Sequence, residues 1–480
     1  MSGSIRLEKL GRPGVYIATD NFAHDAKSSA EDNGMPTLRM VTVPAKDYYR
    51  LKGSREELKP VAADAINAII DALTRPLTPE EKNPKPKQVR MAGTIKITAE
   101  TYDKALETFN RLFLDKHWGD GLALIPPTRE RVKWMLTGTN RSPQEVIGTV
   151  APKNGVATIE KIAVNAAMAG AKPEYLPVII AAMEGLTEKS FDLLHVMTST
   201  GAFTLAIQVN GPIAKEIDMN SGIGFLGYGW RANSTIGHAL RLCLINFGHL
   251  WPAENDMALV GRPSSHTFYT FAENEENSPW EPYHVSLGYK PEDSCVTVSI
   301  VGGFNPMGLA EVMGGGAVTI VSPAMLLNNI MNYIAQERGR MTDWKWGMAV
   351  PSPSRFTLML HPEFAMELNR LSFTRKGLQH YLYERTSVLY EELNAEEIDA
   401  VKRRIEAGEI PNDRIPVFKE ALKVGGRVPL LDRPEDIQII VAGGIPGYTL
   451  GMRYFSRPIY TPTGIQTKLI RGATLTKGGR

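Results

Sequence analysis

The sequence predicts an α/β fold with a mixed or parallel sheet, helices on both faces and more than one lobe. From about residue 90, strand-like and helix-like segments alternate, which is the order typical of layered α/β proteins. The chain is 43% hydrophobic and 22% charged, so it can bury a sizeable core. Its 480 residues are enough for two to four domains of about 100–200 residues each.

Residues 1–75 predict a small α/β element. TLRMVTVPA, at 37–45, is typical of a strand, and the apolar residues of 55–75 recur at helical spacing. Residues 76–89 are rich in proline and lysine, which predicts a linker after this element.

Beyond this linker we expect a core lobe over residues 90–250 and a second α/β lobe over 251–480. Thr128 is a favoured N-cap for the helix that follows it, and Gly170 is a favoured C-terminal stop for another. The predicted strands cover residues 93–98, 121–127, 203–211, 294–303, 356–362 and 437–444. The predicted helices cover residues 100–114, 129–136, 157–170, 173–186, 232–248, 394–423 and a stretch near 322–337.

Composition disfavours several classes of partner and location. The formal net charge of +2 gives no support for nucleic acid or an anionic membrane as a partner. The chain has no run of about 18 apolar residues, and its N-terminus has no apolar signal core. Cys243 and Cys295 stand in apolar segments, which predicts buried structural thiols. We therefore expect a cytoplasmic protein, and its size and Met-rich composition favour a homo-oligomer.

A glycine-rich segment, NSGIGFLGYGWRANST (220–235), leads into a predicted helix. Glycines allow backbone amides to approach a ligand closely, and a helix N-terminus binds anions. A purely structural turn explains the same glycines. A dinucleotide fingerprint is disfavoured because no acidic residue follows within ~20 residues, so no dinucleotide cofactor is expected. The candidate substrate-binding residues of this segment are Asn220, Ser221, Gly222, Gly224, Gly227, Arg231, Asn233 and Thr235.

The segment ATIEKIAVNAAMAG (157–170) carries few polar side chains. Lys161 and Asn165 are four residues apart and therefore share a helix face. A lysine in an apolar helix can have a lowered pKa and act as a base or a substrate clamp. The alternative is a surface pair of Glu160 with Lys161 and a capping asparagine. Glu160 and Lys161 are thus candidate catalytic residues, and Asn165 is a candidate substrate contact.

The segment AENEENSPWEPYHV (272–285) combines carboxylates with a tryptophan and a histidine. Its two prolines exclude a regular helix. A rigid loop of this composition suits a pocket wall, with one carboxylate moving a proton and the indole excluding water. Carboxylate and imidazole ligands also suit Mn, Fe or Zn. The alternative is a solvated acidic loop. The candidates are Glu273 and Glu276 for catalysis, Trp280 for the pocket, and Glu281 and His284 for a divalent metal.

Long motifs in the middle of the chain carry a family resemblance. We find it in GDGLALIPPTRERVKWML, ATIEKIAVNAAMAGAKPEYLPVIIAAME, NSGIGFLGYGWRANSTIGHALRL and AENEENSPWEPYHV. Together they resemble the UGSC group of bacterial proteins, which carries a Cys/Sec-Gly-Ser-Cys thiol motif as a separate chain or domain. The resemblance covers about residues 118–290. This chain has no CGSC or UGSC motif, so a partner protein would have to supply any thiol or selenol.

We expect an enzyme that acts on a small polar or anionic molecule by a hydrolytic or lyase-type reaction. Its active site is predicted where the segments 157–170, 220–235 and 272–285 converge, with room for a divalent metal. Two alternatives stay open. One is the substrate-binding subunit of a two-component thiol or selenol reductase, which needs a small thiol or selenol partner protein. The other is a non-catalytic assembly protein, in which Arg231, Lys161 and the acidic loop lie far apart.

Overall fold

The computed structural model describes most of the chain. The described residues are 2–48, 55–83, 93–308, 312–313, 317–318, 327–328, 330–331, 355–444, 448–454 and 464–474. The predicted helix near 322–337 therefore lies outside the described residues at all but four positions.

Helices and strands occur throughout the described residues. The helices are α1 Ser2–Lys9, α2 Ala23–Asp32, α3 Ala45–Tyr48, α4 Arg55–Thr74, α5 Pro79–Lys82, α6 Tyr102–Asp115, α7 Arg129–Leu136, α8 Ile159–Met168, α9 Leu176–Leu186, α10 Leu193–Met197, α11 Pro212–Glu216, α12 Arg231–Gly248, α13 Tyr283–Ser286, α14 Pro362–Arg370, α15 Arg375–Arg385, α16 Ala395–Glu406 and α17 Ile415–Ala421. The strands are β1 Tyr16–Thr19, β2 Met40–Val43, β3 Val146–Val150, β4 Gly155–Thr158, β5 Thr204–Asn210, β6 Tyr269–Ala272, β7 Cys295–Gly308, β8 Val312–Met313, β9 Ala317–Val318, β10 Arg355–Leu360, β11 Val388–Leu389, β12 Arg427–Val428, β13 Ile437–Val441, β14 Tyr448–Tyr454 and β15 Ile465–Leu469.

The central sheet has seven strands among the described residues. Its order is β13-β10-β14-β7-β5-β6, and β15 also pairs with β7. The pairs β5–β6 and β10–β13 are parallel and the others are antiparallel, so the sheet is mixed. The predicted α/β class is thus confirmed. Strands from both predicted lobes join this sheet, so a boundary near residue 250 does not divide it.

The sheet curls until its two end strands approach each other. Just past β6, the backbone N–H of Asn274 donates to the carbonyl oxygen of Val441 on β13 (2.7 Å). The side chain of Gln438 on β13 donates to that of Gln208 on β5 (3.2 Å). The concave side therefore encloses a core of its own, formed by Ala206, Phe225, Phe271, Tyr283, Val301, Met359, Ile440, Ala442 and Ile465.

Helices cover the outer surface of the sheet on two sides. On one side, α8, α9 and α12 pack near β5 and β7, where Leu205 and Ile207 point outward between side chains that face the concave side. On the other side, α14 and α15 pack on β10 and β13 around Leu358 and Ile439. None of the described helices is both long and apolar enough to cross a membrane.

Both cysteines are buried, as the sequence predicts. Burial raises the pKa of the Cys243 thiol on α12 far above its usual value. Burial also raises the pKa of the Cys295 thiol on β7 to about 12. A thiol that stays protonated and inaccessible is a poor nucleophile, so neither cysteine is suited to redox chemistry.

The N-terminal unit comprises the described residues from 2 to 82. Its strands β1 and β2 pair in parallel, and α2 and α4 pack against them. The Arg39 guanidinium donates to both carboxylate oxygens of Glu81 (3.0 and 2.8 Å) and to the carbonyl oxygen of Pro76 (3.0 Å). The hydrogen bonds from Arg39 lower the pKa of Glu81 to about 2. Residues 76–82 of the predicted linker therefore belong to the folded unit.

Two predicted strands are wrong. Residues 93–98 and 121–127 form no strand, and no described strand pairs with them. Around Leu124 the backbone amides bond to helices instead. The N–H of Leu124 donates to the Asn110 side chain on α6 (2.7 Å), and that of Ile125 donates to the carbonyl oxygen of Met168 on α8 (3.0 Å). Their apolar residues suggested strands because they pack against helices, and the apolar pattern alone does not distinguish the two cases.

Candidate metal centre

The glycine-rich segment is held by Asn233, in the first turn of α12. Its buried amide accepts from the N–H of Asn220 (2.9 Å) and donates to the carbonyl oxygens of Asn220, Phe225 and Thr270 (3.1, 3.2 and 3.1 Å). The Asn220 side chain in turn accepts from the N–H of Gly222 (2.9 Å). These predicted substrate-binding groups therefore face the protein and shape the loop.

Several other polar groups of this segment also bond within the fold. The N–H of Gly227 donates to the carbonyl oxygen of Gly224 (2.7 Å), whose φ of 72° closes a turn that favours glycine. The carbonyl oxygen of Ser221 accepts from the N–H of Gly443 (2.7 Å). The Thr235 hydroxyl donates back to its own helix (2.8 Å). The backbone of this segment thus serves as a structural turn.

Arg231 joins the glycine-rich segment to α8. Its Nε and Nη2 both donate to the carbonyl oxygen of Gly170, at 3.0 and 2.8 Å. Two of the three predicted segments therefore meet here. Lys161 lies at the other end of α8, and nine residues of helix span about 13 Å. The predicted anion clamp and the predicted base are therefore held at opposite ends of α8.

Replacing Asn233 with alanine is expected to lower the free energy of unfolding by about 1–3 kcal/mol, because buried backbone groups lose their partners. Thermal unfolding would show a lower midpoint than for the wild type. Thr235→Ala, two residues further along α12 and only half-buried, is the matched control and should stay within about 0.5 kcal/mol. Equal midpoints for the two variants would contradict a structural role for Asn233.

The polar residues of α8 line a large apolar groove. The groove has a volume of about 1100 Å³ and lies between α6, α7 and α8. Glu160 is exposed at its rim, and the Lys161 ammonium donates to the carbonyl oxygen of Val156 (3.1 Å). Asn165 is buried and donates to the carbonyl oxygen of Lys161 (2.9 Å). The apolar walls include Ile97, Leu106, Phe109, Phe113, Trp118, Val132, Leu136, Val164, Met168 and Phe247.

The acidic loop divides into a buried and an exposed part. Glu273 has a fully buried side chain that accepts from Arg375 Nη2 (3.0 Å) and from the N–H of Tyr283 (2.7 Å). Glu276 is 79% exposed and lies 3.7 Å from the exposed Lys215. Glu273 therefore belongs to an internal ion pair and Glu276 to a solvated surface. Neither stands at the groove that contains Lys161.

The rest of this loop packs into the protein. Trp280 belongs to the core under α14 and α15, and its indole N–H donates to the carbonyl oxygen of Phe373 (2.9 Å). It therefore does not close a pocket, contrary to the prediction. Glu281 is exposed, whereas His284 is buried with Nδ1 3.6 Å from Glu275. Glu281 and His284 are not part of the group of potential metal ligands that the described residues contain.

That group is His117, Glu254 and His249, whose ligand atoms all lie within 4.8 Å of one another. We call it the His/Glu cluster. His117 follows α6 and His249 follows α12, and both have left-handed backbones with φ of 56° and 61°. Glu254 lies in a tight turn in which its own N–H donates to the carbonyl oxygen of Trp251 (3.1 Å). Each of the three side chains therefore extends from a tight turn or from a left-handed residue that follows a helix.

The Glu254 carboxylate lies between the two imidazoles. One oxygen is 2.8 Å from His249 Nε2 and the other is 3.1 Å from His117 Nδ1. The His117 ring stacks on Trp251 at 4.1 Å between centroids and 6° between planes, which fixes its orientation. Two nitrogens and a carboxylate thus converge on one point, where a cation would meet three ligands.

Asp32 of the N-terminal unit orients His249. Its Oδ2 lies 2.7 Å from His249 Nδ1, and the buried Asn255 donates to the same oxygen (3.3 Å). The hydrogen bond with Asp32 raises the pKa of His249, against the opposing effect of burial. From this geometry we assign a proton to Nδ1, which directs Nε2 toward Glu254. A histidine that binds a metal usually donates its other N–H to a carboxylate in this way.

The His/Glu cluster lies next to the groove. Trp118 lines the groove and follows His117 directly in the chain, while Phe247 lines it two positions before His249. Asn246 connects the two walls, because its side chain donates to the carbonyl oxygen of Trp118 (3.0 Å) and to Asn165 (2.8 Å). The cluster and the groove are therefore built from adjoining residues, although none of the three cluster residues lines the groove itself.

A second pair of histidines lies nearby, at Asp120. His238 Nε2 and His266 Nδ1 are each 3.0 Å from the same oxygen of Asp120. Burial acts to raise the pKa of Asp120, but the close contacts with both rings outweigh burial and hold this pKa below its usual value. Asp120 follows α6 in the same loop as His117, so this pair holds the loop that carries a cluster ligand.

Sequence reasoning missed the His/Glu cluster. His117, His249 and Glu254 come from two distant segments and match no metal motif. Asp32 comes from a third segment. The only local signal is the close spacing of His249 and Glu254 in a turn-rich stretch, which is weak by itself.

Comparison with known proteins gives one match. Residues 1–75 match the model of the UGSC family. This match supports an association with the UGSC family. It falls on the N-terminal unit that carries Asp32, whereas the sequence motifs placed the resemblance at about 118–290. No curated protein and no solved structure matches the chain significantly.

Proposed function

We propose that the protein is a metal-dependent enzyme that acts on a small molecule by a hydrolytic or lyase-type reaction. The observation that carries this proposal is the His/Glu cluster, in which His117, His249 and Glu254 converge beside a groove. The proposed site therefore lies after the C-terminal ends of α6 and α12, and not in the three predicted segments. Of the predicted residues, Glu160, Lys161 and Asn165 stay close to it, as lining of the groove.

The three ligand side chains of the His/Glu cluster favour some metal ions over others. Two imidazoles and one carboxylate suit zinc, iron(II) or manganese(II) better than calcium or magnesium. Three protein ligands also leave a position open, which is typical of catalytic rather than structural zinc. When bound, such a metal would polarise a carbonyl or phosphoryl oxygen of the substrate.

The protein's own groups define the rest of the site. Asp32 holds the His249 ring, and Trp251 holds the His117 ring, so both ligands are preorganised. The apolar groove would bind a hydrophobic part of the substrate and exclude water from it. The Lys161 ammonium at the groove wall attracts an anionic group.

Metal binding is the direct test. Purified protein is stripped with chelator, dialysed separately against Zn²⁺, Mn²⁺ and Fe²⁺, and analysed by ICP mass spectrometry. We expect about one metal per chain for at least one ion, and at least ~100-fold weaker binding in His117→Ala and Glu254→Gln, because each loses one of three ligands. His380→Ala removes an exposed histidine outside the cluster and should bind like the wild type.

Activity is tested on loaded protein with p-nitrophenyl esters of increasing acyl length. Turnover should rise with acyl length as the groove fills and should be lost in Glu254→Gln. Wild-type protein that binds none of the three ions, or variants that bind them equally well, would contradict the metal centre.

A second candidate function is the substrate-binding subunit of a two-component thiol or selenol reductase. It is supported by the UGSC match of residues 1–75. Because Cys243 and Cys295 are buried, the reactive thiol would come from a partner. Mixing the protein with a purified small protein that carries Cys-Gly-Ser-Cys should then give a complex in size-exclusion chromatography. Separate elution would speak against it.

A further inference from the structure

We propose that docking of the N-terminal unit strengthens metal binding at the metal centre. Asp32 is the residue that couples the docking to the binding. This inference rests on the proposed function, since it requires that the His/Glu cluster binds a metal. It adds a positioning residue and a means of regulation, neither of which the cluster itself contains.

The contact between the unit and the cluster is specific. Asp32 is the last residue of α2, and its side chain is only 10% exposed. It reaches His249 Nδ1 at 2.7 Å. Asn255, which is 1% exposed, donates to the Asp32 carboxylate (3.3 Å) and to the Ser28 hydroxyl one turn earlier on α2 (3.4 Å). The C-terminal end of α2 is therefore bound by two side chains from outside the N-terminal unit, those of His249 and Asn255.

The same Asn255 also holds the cluster. Its amide donates to the carbonyl oxygen of His249 (3.2 Å), so one side chain contacts both α2 and the backbone of a ligand. If the unit moved away, Asp32 would leave His249 Nδ1 without its acceptor. The ring could then rotate, and Nε2 would no longer be directed toward Glu254.

Thermodynamic linkage makes the effect reciprocal. A carboxylate behind a metal-binding histidine typically strengthens metal affinity by about 10–100-fold. If Asp32 supplies this factor only when the unit is docked, the metal must favour docking by the same factor. Metal loading is then transmitted to the surface of the N-terminal unit, where a partner or a second ligand can respond to it.

Asp32→Asn is the first variant, because it keeps the side-chain shape but weakens the acceptor. Zinc affinity is measured on the full chain by competition with a chromophoric chelator, and we expect a ~10–100-fold loss. Glu31→Gln, the neighbouring carboxylate on α2, is the matched control and should bind zinc like the wild type. Asp32→Glu should recover part of the affinity, which a merely structural role would not predict.

Docking is measured separately by hydrogen–deuterium exchange of α2 in the wild-type protein, with and without zinc. This measurement does not require any variant to fold correctly. Slower exchange with zinc, absent in Glu254→Gln, supports the coupling. If zinc binds but Asp32→Asn keeps wild-type affinity, or if hydrogen–deuterium exchange of α2 is the same with and without zinc, the coupling is contradicted. The proposed function then stands. If the wild type binds no metal, both are wrong.

Discussion

Glu273→Gln is expected to destabilise the protein by about 3–5 kcal/mol, the usual result of removing one partner from a buried ion pair. The Glu273 side chain is fully buried, and Arg375 beside it is 5% exposed. Burial and, to a smaller extent, the nearby Glu275 carboxylate raise the pKa of Glu273, but its hydrogen-bond partners are all donors, namely Arg375, Asn210 and the N–H groups of Tyr283 and Val441. The ionised form is therefore the one that the site accommodates.

Urea denaturation followed by tryptophan fluorescence measures this effect. Glu276→Gln is the matched control, three residues away on the surface, and should change the free energy of unfolding by less than about 0.5 kcal/mol. The double variant Glu273→Gln/Arg375→Met should be less destabilised than the sum of the single variants, because no buried charge is left unpaired. Glu273→Gln with the stability of Glu276→Gln would contradict the buried ion pair.

Gly237→Ala is expected to cost about 3 kcal/mol, the upper end of the range for overpacking. A Cβ at this position of α12 would lie 1.7 Å from the carbonyl oxygen of Thr267 and 2.6 Å from the Thr270 hydroxyl. The nearest atom belongs to the backbone, so α12 and the segment before β6 must separate. His238 and His266 would then lose their common position at Asp120.

Thermal unfolding of Gly237→Ala should show a lower midpoint than that of the wild type. Gly3→Ala is the control: an added Cβ in this first turn of α1 would meet no other part of the protein within 4 Å, so alanine there should not lower the midpoint. An unchanged midpoint for Gly237→Ala would mean that the close approach of α12 and Thr267 is not maintained in solution.

The elements of this fold that the sequence predicted are those with strong local signals. The largely apolar segments of β5 and β13 and the Thr128 cap of α7 can be recognised from neighbouring residues alone. The curled sheet was not predictable in this way. Its pairing joins strands that are far apart in the chain, and β6 has only four residues. Two predicted strands failed because apolar residues that face helices look the same in sequence as those that face a sheet.

The candidate site shows the same limit. The glycine-rich and acidic segments attracted attention because their polar residues are close together in sequence. In the structure, Asn233 and Glu273 are bonded inside the protein and organise loops. The His/Glu cluster has no compact motif, because its members meet only after α6 and α12 have packed. A sequence pattern cannot reveal a site that tertiary packing assembles.

The long strand β7 has a consequence for how the chain is made. Its first residues pair on one edge with β5, which is synthesised earlier, and on the other edge with β15, about 170 residues later. At roughly 5–20 residues per second on the ribosome, that second edge stays open for roughly 10–35 s. Its sequence, CVTVSIV, is uncharged and rich in β-branched residues, which is the composition of segments that aggregate.

During translation, the nascent chain therefore exposes an unpaired, aggregation-prone edge of β7 for many seconds. We expect its yield to depend on chaperones that shield such edges and on growth temperature, more than the stability of the finished protein would suggest. Slower synthesis would lengthen the exposure rather than relieve it.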